Sequence, residues 1–237
     1  MASNRGCAHA LFTRVPVPGM VKTRLQSVLP PEQCAELQEA LILDTISKLA
    51  RAGGSLLLFC SDEHEKTSEE SGLYQSFLEK ARAAAGGPQA IQVFDQRGKG
   101  LGQRMSNALK EVLDSGYESC MIIGSDLPYV TVDHVMEAEG LLDAADVVFG
   151  PCCDGGYWLV GAKRAFPELF SVSCYGGSTV LAESLAICNQ EGRSVAFAQE
   201  SSDLDTPEHY RLLCERVRLN DPCIGGYTSE FVGKTGR

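Results

Sequence analysis

The sequence predicts a single α/β domain, a three-layer α/β/α sandwich with a mainly parallel, Rossmann-like sheet. Its 237 residues, 44% of them hydrophobic, are enough to build one sizeable core. Short apolar runs that end in polar or glycine residues alternate with longer amphipathic segments over the first 150 residues. Such runs are typical of strands buried on both faces, and their alternation with helices favours a parallel sheet covered on both sides.

Each predicted element has its own local signal. The predicted strands are CAHALFTR, SLLLFCSD, IQVFD, CMIIGSD and DVVFGP, and the helices between them are PEQCAELQEALILDTISKLARAG, SGLYQSFLEKARAAAGG, LGQRMSNALKEVLDSG and TVDHVMEAEGLLDAA. Proline opens the first helix and Gly-Gly closes it, which are typical start and stop signals. YWLVGA and RSVAFA are expected to form two further strands. Residues 1–218 are expected to form the domain, and residues 219–237 a C-terminal tail.

Charge and cysteine content exclude several classes of protein. The 21 basic and 31 acidic residues give a net charge of −10 without any basic block, which argues against nucleic acid or an anionic membrane as partner. The amino terminus lacks the apolar core of a signal peptide, and no run approaches the ~20 residues of a membrane span. Ten cysteines without a C-x-x-C pair and four dispersed histidines predict reduced thiols rather than disulfides or a zinc site. We therefore expect a cytoplasmic protein.

The loop after the first predicted strand, VPVPGMVKTRL, carries two cations, Lys22 and Arg24. Two prolines and a glycine stiffen this loop. Two cations beside backbone amides form a suitable cradle for phosphate, and a solvated basic turn explains the same residues equally well. The loop is not a Walker motif, because GxxxxGK[ST] is absent from it.

A second glycine-rich stretch, QRGKGLGQRM, joins the third strand to the next helix. Gly102 and Arg104 are candidates for ligand contact, because glycines let the backbone approach a ligand. The spacing does not match G-x-G-x-x-G, so a dinucleotide-binding site is not supported. A flexible helix start is the alternative interpretation.

Two acidic segments are expected at the carboxyl edge of the sheet, where parallel sheets bind ligands. Asp126 stands directly after the buried run CMIIGS, and Asp154, Gly155, Gly156 and Tyr157 follow the parallel strand DVVFG. As a bare pattern, Asp-Gly-Gly is a hairpin turn. Its position after a parallel strand also makes it a candidate wall of the substrate site.

A third acidic segment, SSDLDTPEHY, precedes an amphipathic helix. Thr206 is expected as the N-cap of this helix, followed by proline and an acid in the first turn. Capping does not explain the two further carboxylates of Asp203 and Asp205. In an extended D-x-D they can point to one side, and with Asp126 they offer the hard oxygen ligands that phosphate-bound Mg²⁺ or Mn²⁺ prefers.

These segments, PVPGMVKTRL, GLGQRM, GSDLP, DGGYWLVG and DLDTPEHY, occur in this order over about residues 9–213. Together they resemble the nucleotide-diphospho-sugar transferase superfamily of glycosyltransferase-A fold. The chain is most similar to the radical-SAM/selenodomain-associated transferase branch, and it also resembles the phospholactate and molybdenum-cofactor guanylyltransferases.

The resemblance implies roles for the quoted residues. Residues 13–24 would wrap the nucleotide, with Lys22 also catalytic and both cations of the loop on the phosphates. Asp126 would be the catalytic metal ligand, with the D-x-D completing a Mg²⁺ or Mn²⁺ site, and the DGGY residues would bind the second substrate. The nucleotide-binding residues so implied are Thr13, Arg14, Pro18, Gly19, Lys22 and Arg24, beside the candidates Gly102 and Arg104.

Two departures from the wider superfamily bear on the reaction. The GxGxR loop of sugar-nucleotide pyrophosphorylases is replaced by RVPVPGMVKTRL, and GSDLP holds one carboxylate where many glycosyltransferases carry D-x-D. The second departure favours transfer of a nucleotidyl group from a nucleoside triphosphate to a small acceptor. Glycosyl transfer from a nucleotide sugar and a non-catalytic nucleotide-binding module are the alternatives, and the base, the acceptor and the oligomeric state stay open.

Overall fold

The computed structural model describes residues 5–61 and 68–235, which form one seven-stranded sheet with helices on both faces. The strands are β1 (Arg5–Arg14), β2 (Ser55–Ser61), β3 (Ile91–Asp95), β4 (Tyr117–Gly124), β5 (Val147–Pro151), β6 (Tyr157–Ala162) and β7 (Val195–Phe197). The α-helices are α1 (Pro31–Ala52), α2 (Ser68–Ala84), α3 (Leu101–Asp114), α4 (Val132–Leu141), α5 (Val180–Gln190), α6 (Pro207–Arg218) and α7 (Gly226–Thr235).

The sheet has the order β3-β2-β1-β4-β6-β5-β7. All neighbouring strands pair in parallel except β6, which is antiparallel to both β4 and β5. Since β5 therefore runs in the same direction as β4, the carboxyl ends of the first five strands lie at one edge. The prediction of a mainly parallel sheet with two added strands is confirmed, and this edge is where such sheets bind ligands.

The core forms two layers because side chains of each strand alternate between the two faces. On β1, Ala8, Ala10 and Phe12 face the layer that includes α3, whereas Cys7 and Leu11 face the layer that includes α1 and α4. This burial on both faces explains why β1 and β4 read as continuous apolar runs rather than alternating ones.

A third, smaller hydrophobic cluster joins α6 and α7 to the first loop and to the start of α1. Leu25, in a short 3₁₀ helix at Thr23–Leu25, and Leu204 are both fully buried in this cluster. Leu204 stands between the two aspartates of the D-x-D segment. The cluster therefore brings that segment against the loop that carries Lys22.

The last described helix packs on the first. The carboxylate of Asp44 in α1 accepts hydrogen bonds from the backbone amides of Tyr227 (3.0 Å) and Thr228 (2.8 Å) at the start of α7. Phe231 and Val232 of α7 are buried in the third cluster. The division of the chain at residue 218 stays a prediction, although residues 226–235 of the predicted tail form this packed helix.

The predicted helix start at residue 206 is present. The Thr206 hydroxyl accepts a hydrogen bond from the backbone amide of His209, and proline occupies the first turn of α6. Within residues 5–61 and 68–235, the helices are too short or too polar to cross a membrane.

Candidate active site

A cavity of about 840 Å³ lies at the carboxyl edge of the sheet. Most of the residues singled out in the sequence line this cavity, namely Thr13, Arg14, Lys22, Arg24, Arg104, Asp126, Asp154, Gly156, Tyr157, Asp203 and Asp205. Its volume suits a small-molecule ligand of nucleotide size. The tertiary structure therefore brings the five segments together around one space.

Lys22 is the most constrained of these residues. Its backbone is left-handed (φ 48°, ψ 38°), an uncommon conformation for a residue other than glycine. Its side chain is only 2% exposed, and Nζ lies 2.8 Å from Oδ2 of Asp126 and 3.6 Å from Oδ1 of Asp205. Nζ also donates to the carbonyl of Leu204. The ammonium group thus joins the end of β4 to the D-x-D segment.

Asp126 is held from three sides. Nε2 of Gln38 in α1 donates to its Oδ1 at 2.7 Å, the Ser125 hydroxyl lies 3.4 Å from the same oxygen, and its backbone carbonyl accepts from the amide of Leu204 at 3.0 Å. Burial favours the protonated acid, but the Lys22 ammonium and these hydrogen bonds outweigh it and lower the pKa of Asp126. Asp126 is therefore an ionised carboxylate that faces the cavity.

The two aspartates of the D-x-D segment have different surroundings. Asp205 contacts Nζ of Lys22 and lies 3.2 Å from the Arg24 guanidinium. Burial, followed by the neighbouring carboxylates of Asp205 and Asp154, raises the pKa of Asp203. Negative charge is therefore concentrated around Asp203, and a bound cation would relieve it.

The donor atoms of the carboxylates and the distances between them bear on whether they can bind a metal ion. Asp126, Asp203 and Asp205 offer only hard oxygen donors, which suit Mg²⁺ or Mn²⁺. Among the described residues, these three carboxylates do not form a group with oxygens within 4.8 Å of one another. The Lys22 ammonium instead lies between Asp126 and Asp205. The donor set fits a divalent ion, and its assembly as a metal site stays a prediction.

One wall of the cavity lies at the ends of β1 and β2. The Arg104 guanidinium donates to the Ser61 hydroxyl at 3.0 Å and to the carbonyl of Gly98 at 3.3 Å. Gln96 donates through Nε2 to the carbonyls of Thr13 (3.0 Å) and Phe59 (2.9 Å), so it holds the ends of the two strands together. These contacts fix a polar wall beside the loop that carries Lys22.

The opposite wall is formed by the turn between β5 and β6 and by the start of α5. The carboxylate of Asp154 accepts from the amide of Gly156 at 2.9 Å, which closes the predicted turn. Tyr157 packs on Phe149 with ring centroids 5.2 Å apart. Burial, followed by the carboxylates of Asp203 and Asp154, raises the pKa of the Cys152 thiol to about 12, so this thiol is protonated at neutral pH.

Four predicted residues do not line the cavity, and three of them are glycines with local structural roles. A Cβ at Gly102 would lie 2.5 Å from the carbonyl oxygen of Phe170, and one at Gly155 would lie 2.1 Å from that of Ser178. The remaining glycine, Gly19, has a φ of 82° in the first loop. The fourth residue is Pro18. Their contribution to ligand binding stays a prediction.

The cavity also contains polar residues that the sequence analysis did not identify, above all Gln38 and Gln96. Gln38 lies on the buried face of α1. A polar residue among the leucines of this face was the one signal in the sequence that could have indicated a role for it. Gln96 stands after β3 and is the first residue of QRGKGLGQRM, a segment in which only Gly102 and Arg104 were predicted to contact a ligand.

The model of one protein family matches residues 45–176 of the chain; the family is described as uncharacterized proteins conserved in bacteria, DUF2064. Two curated relatives are 2-phospho-L-lactate guanylyltransferases. The protein from Methanocorpusculum labreanum is 29% identical over 84% of this chain and 79% of its own length. The protein from Methanocella arvoryzae is 25% identical over 78% of this chain and 71% of its own length.

A solved structure resembles the whole chain. It comes from Desulfovibrio desulfuricans G20 and is assigned to the nucleotide-diphospho-sugar transferases. It superposes with a TM-score of 0.83, covers 97% of this chain and 95% of its own, and is 25% identical in sequence.

Proposed function

The chain belongs to the DUF2064 family, and from this premise we propose that it transfers a nucleotidyl group from a nucleoside triphosphate to a small phosphorylated or carboxylated acceptor. The predicted membership in the nucleotide-diphospho-sugar transferase superfamily, and with it the fold, is confirmed. The chain is a transferase, and the names of its curated relatives support the nucleotidyl reaction.

The observation that carries the proposal is the position of the Lys22 ammonium. It is buried between Asp126 and Asp205 at the edge of a cavity that also holds the guanidinium groups of Arg24 and Arg104. Arg14 also lines the cavity, so four basic residues stand there against four aspartates, at positions 126, 154, 203 and 205. In a protein with a net charge of −10, this local concentration of basic residues can bind a polyanion that brings its own divalent cation. A nucleoside triphosphate meets this description.

In the proposed reaction, an acceptor oxygen forms a bond to the α-phosphorus of the triphosphate. The bond from this phosphorus to the bridging oxygen of the β-phosphate breaks, and pyrophosphate leaves. Lys22 and Arg24 would stabilise the negative charge of the phosphoryl group during this exchange. The constrained backbone fixes the start of the Lys22 side chain, so only its ammonium group would have to move from the carboxylates to the phosphates.

The carboxylates would hold a divalent cation in this reaction. Asp126, Asp203 and Asp205 are the residues that would bind Mg²⁺ or Mn²⁺. When bound, such an ion neutralises phosphate charge and orients the triphosphate for displacement. Its binding requires the Lys22 ammonium to leave the carboxylates, and the nearby triphosphate would be the new partner of this ammonium.

The acceptor is proposed to bind against the turn after β5. Asp154, Gly156 and Tyr157 line that side of the cavity, opposite the phosphate-binding loop. The curated relatives use 2-phospholactate, a small molecule with both a phosphate and a carboxylate. We take this compound and GTP as the first pair to test.

The test is release of pyrophosphate by the purified protein with Mg²⁺, each of the four ribonucleoside triphosphates, and 2-phospholactate or phosphoenolpyruvate as acceptor. We expect release that requires both substrates, and a product that carries the nucleotidyl group by mass spectrometry. Asp126→Asn is expected to abolish it, whereas Lys80→Met, which removes an exposed ion pair with Glu39 at 2.6 Å, leaves it unchanged.

Glycosyl transfer would give the opposite result in the same assay. The protein would then release a nucleoside diphosphate from a nucleotide sugar and no pyrophosphate from any triphosphate. A protein that binds a triphosphate, as seen by a rise in melting temperature, but turns over neither donor class would be the non-catalytic module.

A further inference from the structure

A second cluster of titratable side chains lies inside the protein, away from the proposed active site. Cys7 and His9 point to the same face of β1, two residues apart, and Glu139 reaches them from α4. One donor atom from each lies within 4.8 Å of the other two. At ~3.3 Å per residue, Cys7 stands about 20 Å along the strand from Thr13 at the cavity. The mechanism proposed above does not use this cluster.

His9 is the centre of the cluster. Its side chain is completely buried, and Nε2 lies 2.8 Å from Oε2 of Glu139. Among the described residues, the other ring nitrogen, Nδ1, has no hydrogen-bond partner although it is buried. Nε2 is the nitrogen that faces Glu139, so it is the one that would bind a cation shared with this carboxylate; the unpartnered Nδ1 does not by itself indicate a ligand.

The surroundings fit closely around the imidazole, so a bound ion would have to lie between His9 and Glu139 in place of their direct contact. A Cβ at Gly54 would lie 2.4 Å from Cε1 of His9 and 2.5 Å from Nε2, so glycine is required for the ring to fit. Cys7 is 7% exposed, whereas the Glu139 side chain is 35% exposed. The carboxylate therefore connects an otherwise buried pair of donors to solvent.

We propose that Cys7, His9 and Glu139 bind a Zn²⁺ ion through the thiolate sulfur, one ring nitrogen and one carboxylate oxygen. Sulfur, nitrogen and oxygen donors together suit zinc, whereas the all-oxygen set at the cavity suits Mg²⁺. The exposed side of Glu139 is the route by which the ion enters, and a water molecule from that side supplies the fourth ligand.

Such an ion would connect β1 directly to α4. Residues His9 and Glu139 are 130 positions apart in the chain, and the ion would join them more firmly than the present hydrogen bond. The site would then act in stability, because a ligand that binds only the folded state raises its free energy of unfolding.

The experiment uses Co²⁺ as a spectroscopic probe for Zn²⁺. The purified full chain is stripped with a chelator and titrated with Co²⁺, and we expect one equivalent to produce the near-ultraviolet band of a cobalt thiolate. Zn²⁺ should remove this band and raise the melting temperature. Asp126→Asn should retain the band, since the oxygen donors at the cavity contribute no thiolate.

Variants of the cluster identify its ligands. Cys7→Ala should abolish the thiolate band, and Glu139→Gln should weaken Zn²⁺ binding at least about tenfold, as measured by competition with a chromophoric chelator. The matched control is Cys60→Ala, a cysteine equally buried in the same core layer on β2. It should bind Zn²⁺ like the original chain.

Two results would overturn the proposal. One is a chain that binds less than one equivalent of Co²⁺ without a thiolate band, which would leave a buried histidine–glutamate pair alone. The other is a band that persists in Cys7→Ala and disappears in Cys60→Ala or another cysteine variant. Either result leaves the proposed nucleotidyl transfer untouched, because pyrophosphate release is measured separately with Mg²⁺.

Discussion

The two clusters of ionisable residues differ in their donors and in their position on the sheet. At the carboxyl edge, Asp126 and Asp205 face a large cavity, are 35% and 38% exposed, and share the Lys22 ammonium. Inside the core, His9 and Cys7 are held between strand and helix with a single carboxylate. Partly solvated carboxylates would permit exchange of a cation and a substrate, whereas a buried cluster of mixed donors would suit permanent binding.

The largest effect, on kcat, is expected when the Lys22 ammonium at the carboxyl edge of the sheet is removed. Lys22→Met should reduce kcat for nucleotidyl transfer by about 100- to 1000-fold, because a preorganised charge near the phosphates is lost. The measurement is steady-state pyrophosphate release, with Lys80→Met as the control. If Lys22→Met changed only KM, the ammonium would bind the ground state alone and the catalytic role assigned to it would be wrong.

A smaller effect, on stability alone, is expected in the interior cluster. Gly54→Ala should lower the free energy of unfolding by about 1–3 kcal/mol, since the new methyl group overlaps the imidazole of His9. Urea denaturation measures this change, and kcat should not move. Gly140→Ala is the matched control, because a Cβ at that position in α4 meets no atom within 4 Å. Equal destabilisation in both variants would contradict the packing argument.

The two edge carboxylates should respond to pH with opposite signs. The lowered pKa of Asp126 contributes stability above the unfolded value of ~3.9, and this contribution is lost as pH falls through the folded value. The raised pKa of Asp203 contributes stability at low pH, which is lost as pH rises through the raised folded value.

At pH 7 without divalent ions, Asp203→Asn should therefore raise the melting temperature by about 2 °C, and Asp126→Asn should lower it. The difference between the two variants should shrink as pH falls to ~4, where the raised pKa leaves Asp203 mostly protonated in the original chain whereas the lowered pKa keeps Asp126 ionised. Differential scanning calorimetry at both pH values measures it. A lower melting temperature for Asp203→Asn at pH 7 would show that other contacts of this residue dominate.

The smallest effect is expected from Arg24, whose side chain is 72% exposed in its ion pair with Asp205. Arg24→Ala should change the free energy of unfolding by less than about 1 kcal/mol, because exposed ion pairs contribute little. It should raise KM for the triphosphate with a smaller change in kcat. Arg211→Ala on α6, which removes an equally exposed pair with Glu208, serves as control for both measurements. An unchanged KM would remove Arg24 from the phosphate site.

The strand–helix alternation could be predicted from the sequence because burial on both faces produces the apolar runs themselves. The position of Lys22, Arg24 and Asp126 at the carboxyl edge could also be predicted, since the end of a buried parallel strand is a local feature of the chain. The place of β6 between β4 and β5 could not. Strand order depends on which edges remain unpaired after the rest of the sheet forms, and no local pattern records this.

The polar contacts of the site were harder to predict. Gln38 contacts Asp126 from α1, although the two are 88 residues apart in the chain. The sequence around a helical glutamine does not specify such a distant partner. Gly102 and Gly155 looked like ligand-approach positions, whereas close packing against Phe170 and Ser178 gives each a structural reason to be glycine. A glycine in a sequence does not distinguish these two requirements.

By itself, the sequence determined the α/β class, the elements of the sheet and the cations and carboxylates available for chemistry. Only the tertiary structure decided which of these residues meet. Arg24 and Asp205 are 181 residues apart, and burial of Leu25 and Leu204 in one hydrophobic cluster brings their segments together. Cys7, His9 and Glu139 meet for a similar reason, because α4 packs on the face of β1 that carries both donors. Hydrophobic burial is non-directional, so the partner of each ionic group follows from the packing of its neighbours rather than from its own position in the chain.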